Sequence, residues 1–218
     1  MSNHEFLLTS LTVSVFQENV YIVADPEAKE CIIIDPGAEA ERVLNEVQKD
    51  GLAVKLIVNT HGHVDHVGAV AAIRQATGAS YACNSSDKDV LEELTSQSKH
   101  MLPEYLDPPT PDIDLRGGEF IDVGRFKFLV LWTPGHSPGG LCFYGHGAVF
   151  TGDTLFLGSI GRFDSPGGNG RTLIDSIFGK LLVLPDETVV YPGHGPATTI
   201  GEERRSNPFL QPGADRFF

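Results

Sequence analysis

The sequence predicts an α+β fold in which two β-sheets pack face to face and helices cover their outer faces. Each half of the chain holds several short apolar runs with strand character, followed by segments with helical periodicity. Two packed sheets with helices outside would bury the apolar faces of all these elements. The chain shows no linker long enough to separate two domains, so residues 1–218 are expected to form one domain.

The first half opens with apolar runs that aspartate, proline and glycine interrupt as turns. The predicted strands are Phe6–Leu8, Leu11–Phe16, Asn19–Ala24, Cys31–Ile34, Val54–Val58 and Tyr81–Cys83. A helix is predicted from Ala40 to the stop at Gly51, because apolar residues recur there at i, i+3, i+4 and i+7. Further helices are predicted over 67–76 and 86–94.

The second half repeats this organisation after a proline-rich segment, 103–111, that cannot form regular structure. The predicted strands are Glu119–Val123, Phe126–Trp132, Leu141–Tyr144, Ala148–Thr151 and Thr188–Tyr191. Helices are predicted over 171–182 and 200–205, and the tail is expected to be irregular.

Composition narrows the classes of function. A net charge of −13 argues against a nucleic-acid or anionic-membrane partner, since both need a basic face. The N-terminal residues do not resemble a secretory signal, and no apolar run is long enough to span a membrane. The three cysteines form no C-x-x-C pair and are expected to be buried thiols of a cytoplasmic protein.

The segment Thr60–Gly68 concentrates three histidines and one aspartate within six residues, directly after an apolar strand. Imidazole and carboxylate groups presented together are ligands that suit zinc, iron or manganese. Without a metal, crowded imidazoles would repel one another whenever they were protonated. The alternative, a polar turn with histidines by chance, is weakened by the rest of the chain.

Three later turns have the same construction as this segment. His136, Asp153 and His194 each follow a glycine in the turn after an apolar strand. Each residue alone would more often be an ordinary loop residue. If the strands run side by side, however, their ends converge on one edge, where ligands bind in layered folds. The four segments together therefore predict a metal centre.

The H-x-H-x-D-H run, the later histidine, the Gly-Asp pair and the Pro-Gly-His turn resemble the metallo-β-lactamase superfamily. The resemblance implies a four-layer αββα sandwich that binds two divalent metal ions, with Zn²⁺ expected and iron or manganese as alternatives. It assigns His61, His63 and His136 to the first ion, and Asp65, His66 and His194 to the second, with Asp153 bridging the two. Asp35, at the end of Ile32–Ile34, matches the first motif of the family and would orient a ligand loop or histidine. Its alternative role is that of a turn former before Pro36.

Within the superfamily, the chain is similar to short bacterial glyoxalase II-like (hydroxyacylglutathione hydrolase-like) proteins. The similar segments are Thr151–Phe156, Gly161–Phe163 and Ser206–Phe209. The resemblance implies hydrolysis of a small thioester, S-D-lactoylglutathione, to D-lactate and glutathione, with a metal-bridging hydroxide as nucleophile. Asp65 would be catalytic, orienting the hydroxide and handling its proton.

Arg162 occupies the place where the family contacts glutathione with a basic residue, and it is the predicted substrate-binding residue. Its alternative is an ion pair with Asp164. Asp164 and Pro196 replace two tyrosines that usually contact glutathione, and the C-terminal helical domain of long glyoxalase II proteins is absent from this sequence. These departures favour a broader thioesterase over one with tight glutathione recognition.

Two other functions stay open. A persulfide dioxygenase of this fold would use one iron held by His61, His136 and Asp153, although such enzymes carry Pro-Ala-His-Asp-Tyr where this chain has Pro192–Pro196. A non-catalytic metal-binding module is the second alternative, and the complete set of seven ligands argues against it. Zinc β-lactamases of the commonest class have a cysteine where Asp153 stands, and the chain therefore differs from them.

Overall fold

A computed structural model describes residues 5–90, 101–102 and 104–213. Within these residues, the first sheet has six strands in sequential order, β1 to β6. They are β1 Leu7–Val13, β2 Glu18–Asp25, β3 Glu30–Ile34, β4 Ala53–Val58, β5 Ser80–Cys83 and β6 Ile113–Asp114. The first three strands are antiparallel, and β3 to β6 are parallel.

The described residues form a second six-stranded sheet, with two further short strands in a hairpin beside it. Its strands are β7 Phe120–Val123, β8 Phe126–Trp132, β9 Leu141–Gly145, β10 Ala148–Gly152, β13 Val189–Pro192 and β14 Thr198–Thr199, and the hairpin consists of β11 Leu155–Phe156 and β12 Ser159–Ile160. The spatial order is β14-β13-β10-β9-β8-β7, and β10 pairs with β13 in parallel. The carboxyl ends of β8, β10 and β13 therefore lie at one edge.

Helices cover the outer face of each sheet. They are α1 Ala40–Lys49, α2 Val64–Val67, α3 Val70–Thr77, α4 Gly170–Ser176 and α5 Ile200–Ser206. The side chains of Asn169 and Thr199 cap α4 and α5 by accepting hydrogen bonds from backbone N–H groups of the first turn. Helix α4 continues in a wider π-type turn over Ile177–Leu181.

The apolar residues separate into three layers. The central layer lies between the sheets and includes the buried rings of Phe126, Phe128, Phe143 and Phe150. A second layer fills the space between the first sheet and helices α1 and α3, and a third lies between the second sheet and helices α4 and α5. Two sheets inside two helical layers form the αββα sandwich that the sequence predicted.

Several local predictions need correction. The two strands predicted at Phe6–Leu8 and Leu11–Phe16 are one strand, β1, because residues 7–13 pair continuously with β2, and residues 14–16 lie in the turn that follows. The helix predicted over 67–76 is divided between α2 and α3, since Gly68 and Ala69 bond to other segments: Leu106 donates to the Gly68 carbonyl, and Ala69 donates to the Pro36 carbonyl. The tail contains a 3₁₀ turn at Pro208–Leu210, so it is not wholly irregular.

Two predicted segments extend beyond the described residues. The helix predicted over 86–94 is described only to Val90, where a 3₁₀ turn at Ser85–Asp87 leads into helical residues, and residues 91–94 lie outside. Of the proline-rich segment, residue 103 lies outside, and residues 105–111 have no regular structure.

The three cysteines are free thiols, as predicted; Cys31 and Cys142 are buried and Cys83 is half-buried. Burial raises the pKa of the Cys31 thiol to about 12 and that of the Cys142 thiol to about 11. In the part of the chain that the structure describes, no helix is long and apolar enough to cross a membrane.

Candidate metal centre

The seven predicted ligands meet at one edge of the two sheets. The first sheet presents four of them just after β4, and the second sheet presents one each after β8, β10 and β13. Backbone hydrogen bonds join the sheets at this edge: Leu141 donates to the Thr60 carbonyl at 2.7 Å, and Asn19 donates to the Gly193 carbonyl at 2.8 Å. The centre is therefore built from both sheets.

His61, His63 and His136 form a group that we call the three-histidine site. The Nε2 atom of His136 lies 2.9 Å from Nδ1 of His63 and 3.3 Å from Nε2 of His61. All three side chains are buried. Their nitrogens point at a common centre, as the ligands of one ion would.

Asp65, His66 and His194 form a second group, which we call the mixed site. The Oδ2 atom of Asp65 lies 3.3 Å from Nε2 of His194 and 3.8 Å from Nε2 of His66. His66 is fully buried, whereas Asp65 and His194 retain some exposure at the surface. This side of the centre is therefore accessible from solvent.

Asp153 lies between the two sites. Its Oδ1 is 3.5 Å from Nε2 of His66, and its Oδ2 is 3.5 Å from Nε2 of His136. The backbone at Gly193 passes so close that a Cβ there would lie 2.4 Å from Oδ1 of Asp153. Glycine is required at this position. Oδ2 also lies 3.7 Å from Nε2 of His194, so the carboxylate is within reach of ligands of both sites.

Hydrogen bonds behind the rings set the protonation of the histidine nitrogens. Nδ1 of His136 donates to the Arg162 carbonyl at 2.7 Å, and Nδ1 of His66 donates to Asp35 at 3.1 Å. Nδ1 of His61 lies 3.0 Å from the Thr60 hydroxyl, which itself donates to Asp35. When a metal is bound, each of these rings would therefore keep its proton on the side away from the centre and present a lone pair on Nε2.

Asp35 is buried, and its carboxylate accepts four hydrogen bonds. The donors are the Thr60 N–H (2.7 Å), the Thr60 hydroxyl (2.6 Å), the Asn59 amide (3.1 Å) and His66 Nδ1 (3.1 Å). The side chain thus contacts the ligand loop and one ligand histidine, which is the arrangement that the orienting role requires.

The donor set fits metal ions. A tetrahedral zinc site with bonds of about 2.0–2.1 Å places its ligand atoms about 3.3 Å apart, close to the separations within both sites. Nε2 of His66 and Oδ1 of Asp153 are buried without a hydrogen-bond partner among the described residues. Buried polar atoms without partners are costly, and a bound ion would satisfy both.

The electrostatics of the two sites differ. Burial, followed by the neighbouring histidines, lowers the pKa of His61 well below its usual value and that of His63 to about 3.

In the mixed site, burial also opposes protonation of His66, but Asp153 and Asp65 outweigh it and raise the His66 pKa well above the usual value. Burial likewise opposes protonation of His194, whose pKa the hydrogen bond to Asp65 raises. Burial would raise the Asp65 pKa, but His66 and His194 hold it below its usual value.

Arg162 lies beside the three-histidine site, and its guanidinium is exposed and paired with Asp164 at 2.9 Å. This is the ion pair that the alternative role predicted. The guanidinium is also close enough to contribute to the lowered pKa of His63. Its role in substrate binding stays a prediction.

Two buried acids at the centre did not emerge from the sequence. Glu18 is fully buried at the start of β2, and neither of its oxygens has a hydrogen-bond partner within the described residues. Asp87 is buried beside the three-histidine site. Asp87 follows β5, whose carboxyl end lies at the same edge as that of β4, and applying the strand-end rule to β5 would have singled it out.

The fold and this edge define a metal-binding member of the metallo-β-lactamase superfamily, and the superfamily profile matches residues 13–194. The chain belongs to that family. It is 43% identical to hydroxyacylglutathione hydrolase GloC of Haemophilus influenzae over 204 residues. The alignment covers 92% of this chain and 96% of the relative.

Two solved structures extend the comparison. TTHA1623, solved in a di-iron-bound form, is 41% identical and superposes with a TM-score of 0.83 over 93% of this chain and 100% of its own. The BLEG-1 B3 metallo-β-lactamase is 35% identical, with a TM-score of 0.87 over 94% of this chain and 100% of its own. These similar proteins carry different activity names. The substrate of this chain therefore has to be argued from its own site.

Acidification should remove metal from the mixed site before the three-histidine site. Protons compete at a higher pH for His66 and His194, whose pKa values are raised, than for His61 and His63, whose pKa values are lowered. Metal content is measured after dialysis in steps from about pH 8 to about pH 5. The variants are His63→Ala, which keeps the mixed site, and His194→Ala, which keeps the three-histidine site. Release at the same pH from both variants contradicts the prediction.

Glu18→Gln should stabilise the metal-free protein at pH 8. Burial raises the pKa of the Glu18 carboxyl well above its usual value of 4.5. The stability that the protonated carboxyl gives to the fold is therefore fully present below pH 4.5, and it is lost as the pH rises through the folded-state pKa. We expect a gain of about 1–3 kcal/mol in unfolding free energy at pH 8, which shrinks toward pH 5. Thermal unfolding across this pH range measures it.

Glu203→Gln is the control for this substitution. Glu203 is equally buried but accepts hydrogen bonds from Gly158, Thr198 and Asn207, so the same change should lower stability. A lower melting temperature for Glu18→Gln at pH 8 would show that the buried acid has a stabilising partner.

Proposed function

We propose that this chain is a metal-dependent thioester hydrolase that cleaves S-D-lactoylglutathione to D-lactate and glutathione. The observation that carries the proposal is the pair of three-ligand groups with Asp153 between them, at distances suited to two ions. The 43% identity to GloC supports the reaction class. Zn²⁺ is the proposed ion at both sites, with iron or manganese as alternatives that suit the same ligands.

When two divalent ions are bound, they supply a hydroxide nucleophile at neutral pH and an electrophile for the substrate carbonyl, since coordination lowers the pKa of water from 15.7 to about 7. The protein residues hold this chemistry in place. His61, His66 and His136 keep their protons on the side away from the centre, as their hydrogen bonds to Thr60, Asp35 and the Arg162 carbonyl indicate.

Asp65 is the proposed catalytic residue. Its lowered pKa keeps it ionised, and it lies at the accessible side of the centre beside His194. An ionised carboxylate there can orient the attacking oxygen and accept its proton.

Arg162 is the proposed substrate contact. A glutathione thioester is anionic, and the exposed guanidinium of Arg162 lies beside the three-histidine site. Because the guanidinium is paired with Asp164, substrate must compete with that carboxylate. Recognition of the glutathione portion is therefore proposed to be loose, which allows a broader range of thioesters.

Asp65→Ala should lower kcat for S-D-lactoylglutathione by about 100-fold to 10,000-fold, because it removes the proposed proton acceptor. Steady-state hydrolysis, with metal content measured on the same preparation, tests this expectation. A kcat within a few-fold of the parent value would remove Asp65 from its assigned role.

Arg162→Met should raise KM for S-D-lactoylglutathione by about fivefold to tenfold and leave kcat nearly unchanged, because it removes attraction to the ground state and transition state alike. Arg171→Met is the matched control, since Arg171 is exposed and paired with Asp175 on α4. Equal KM values for the two variants would show that Arg162 does not contact substrate.

The parent protein distinguishes the proposed function from its alternatives when metal content, S-D-lactoylglutathione hydrolysis and oxygen uptake with glutathione persulfide are measured on one sample. Two ions with hydrolysis support the proposal. One iron with oxygen uptake would identify a persulfide dioxygenase instead. Stoichiometric metal without hydrolysis of any thioester, lactone or phosphoester would identify a binding module.

A further inference from the structure

Asp87 joins two loops that carry metal ligands. It lies at the end of the 3₁₀ turn after β5, and its side chain is buried. Its Oδ2 accepts hydrogen bonds from the Gly62 N–H at 2.9 Å and the Ser137 hydroxyl at 2.8 Å, and its Oδ1 accepts one from the Gly139 N–H at 2.5 Å. Because all three partners donate, the side chain at position 87 must accept with both of its terminal atoms. A carboxylate does so, whereas an amide would place a donor against a donor.

These three donors belong to the loops of the three-histidine site. Gly62 lies between His61 and His63, and Ser137 follows His136 directly. One loop comes from the first sheet and the other from the second, so the carboxylate ties the sheets together at the point where the three nitrogens converge.

The packing around Asp87 leaves no room for adjustment. A Cβ on Gly62 would lie 2.8 Å from the Asp87 Cβ, and a Cβ on Gly139 would lie 2.7 Å from its Cγ. The carboxylate therefore fixes the distance between the two loops through close contact as well as through hydrogen bonds.

The mixed site is held by a different acid. His66 donates to Asp35, and Asn59 joins Asp35 to the His66 carbonyl. Within the described residues, the side-chain hydrogen bonds of Asp87 go only to Gly62, Ser137 and Gly139. Asp35 thus contacts a ligand of the mixed site directly and reaches His61 only through Thr60, whereas Asp87 contacts the two loops of the three-histidine site directly.

We propose that Asp87 is the positioning residue of the three-histidine site, and that it sets the spacing between His61 and His63 on one loop and His136 on the other. The inference rests on the proposed two-ion centre. It predicts a selective effect: loss of the Asp87 carboxylate weakens binding at the three-histidine site and spares the mixed site.

The test is a titration of the metal-free proteins with Zn²⁺ against a competing chelator. His63→Ala and Asp65→Ala assign each binding phase, since each variant removes one ligand from one site. Asp87→Asn should weaken the phase that His63→Ala removes by about 10-fold to 100-fold, and should leave the other phase within about threefold of the parent.

Asp25→Asn is the matched control. Like Asp87, Asp25 is a buried aspartate that accepts three hydrogen bonds, all of them from backbone N–H groups. It lies, however, at the opposite end of β2 from the centre. It should leave both phases unchanged. Ser137→Ala removes one donor to Asp87 and should weaken the same phase by a smaller factor, and this variant decides the matter if Asp87→Asn does not fold.

Parental affinities at both sites in Asp87→Asn, or in Ser137→Ala where only that variant folds, overturn the proposal. Equal weakening of the two phases also overturns it, because a general loss of structure would act on both. A parent protein that binds fewer than two Zn²⁺ ions overturns the two-ion centre, and with it both the proposed function and this inference.

Discussion

The buried carboxylate of Asp35 is the interaction on which the metal centre depends. It accepts hydrogen bonds from the backbone and hydroxyl of Thr60, from Asn59 and from His66, and through Thr60 it also orients His61. Asp35 itself has a positive φ of 51°, a conformation that costs energy for a residue with a side chain. Four hydrogen bonds to one buried carboxylate explain why the conformation is maintained.

The centre gathers groups that do not favour one another without metal. Five imidazoles and the carboxylates of Asp35, Asp65 and Asp153 lie at one edge, with the fully buried Glu18 behind them. Asp65 and Asp153 raise the pKa of His66, while burial lowers that of His61, so neighbouring rings differ in charge state. Bound divalent ions would replace protons as the partners of these groups, and metal binding should therefore contribute to the stability of the fold.

The fold and the ligand set could be predicted because both rest on local signals. Apolar strands that end in glycine turns located His136, Asp153 and His194, and the dense first motif located the other four. The superfamily fold is confirmed, and the structure brings the seven side chains together, although their binding of metal stays a proposal.

The remaining features depend on contacts between distant segments. The break between α2 and α3 follows from hydrogen bonds that Pro36 and Leu106 make to Ala69 and Gly68. The sequence around Glu18 is polar and is typical of a turn, so nothing local indicates that this side chain is fully buried. Sequence patterns describe one segment at a time, and these features exist only after several segments have packed.

The residues that hold the metal centre differ in their surroundings from the residue proposed to contact the substrate. The ligand loops are tied to each other by backbone hydrogen bonds between the sheets and by Asp87, and Asp35 holds the first of them, so their geometry is set by the buried core. Arg162, by contrast, hydrogen-bonds a ligand through its backbone carbonyl, and its exposed side chain is paired with Asp164, so that side chain can change without loss of the hydrogen bond to His136. Substitutions in such loops can change the substrate while the metal ligands stay in place, because one fold can carry sites of different specificity.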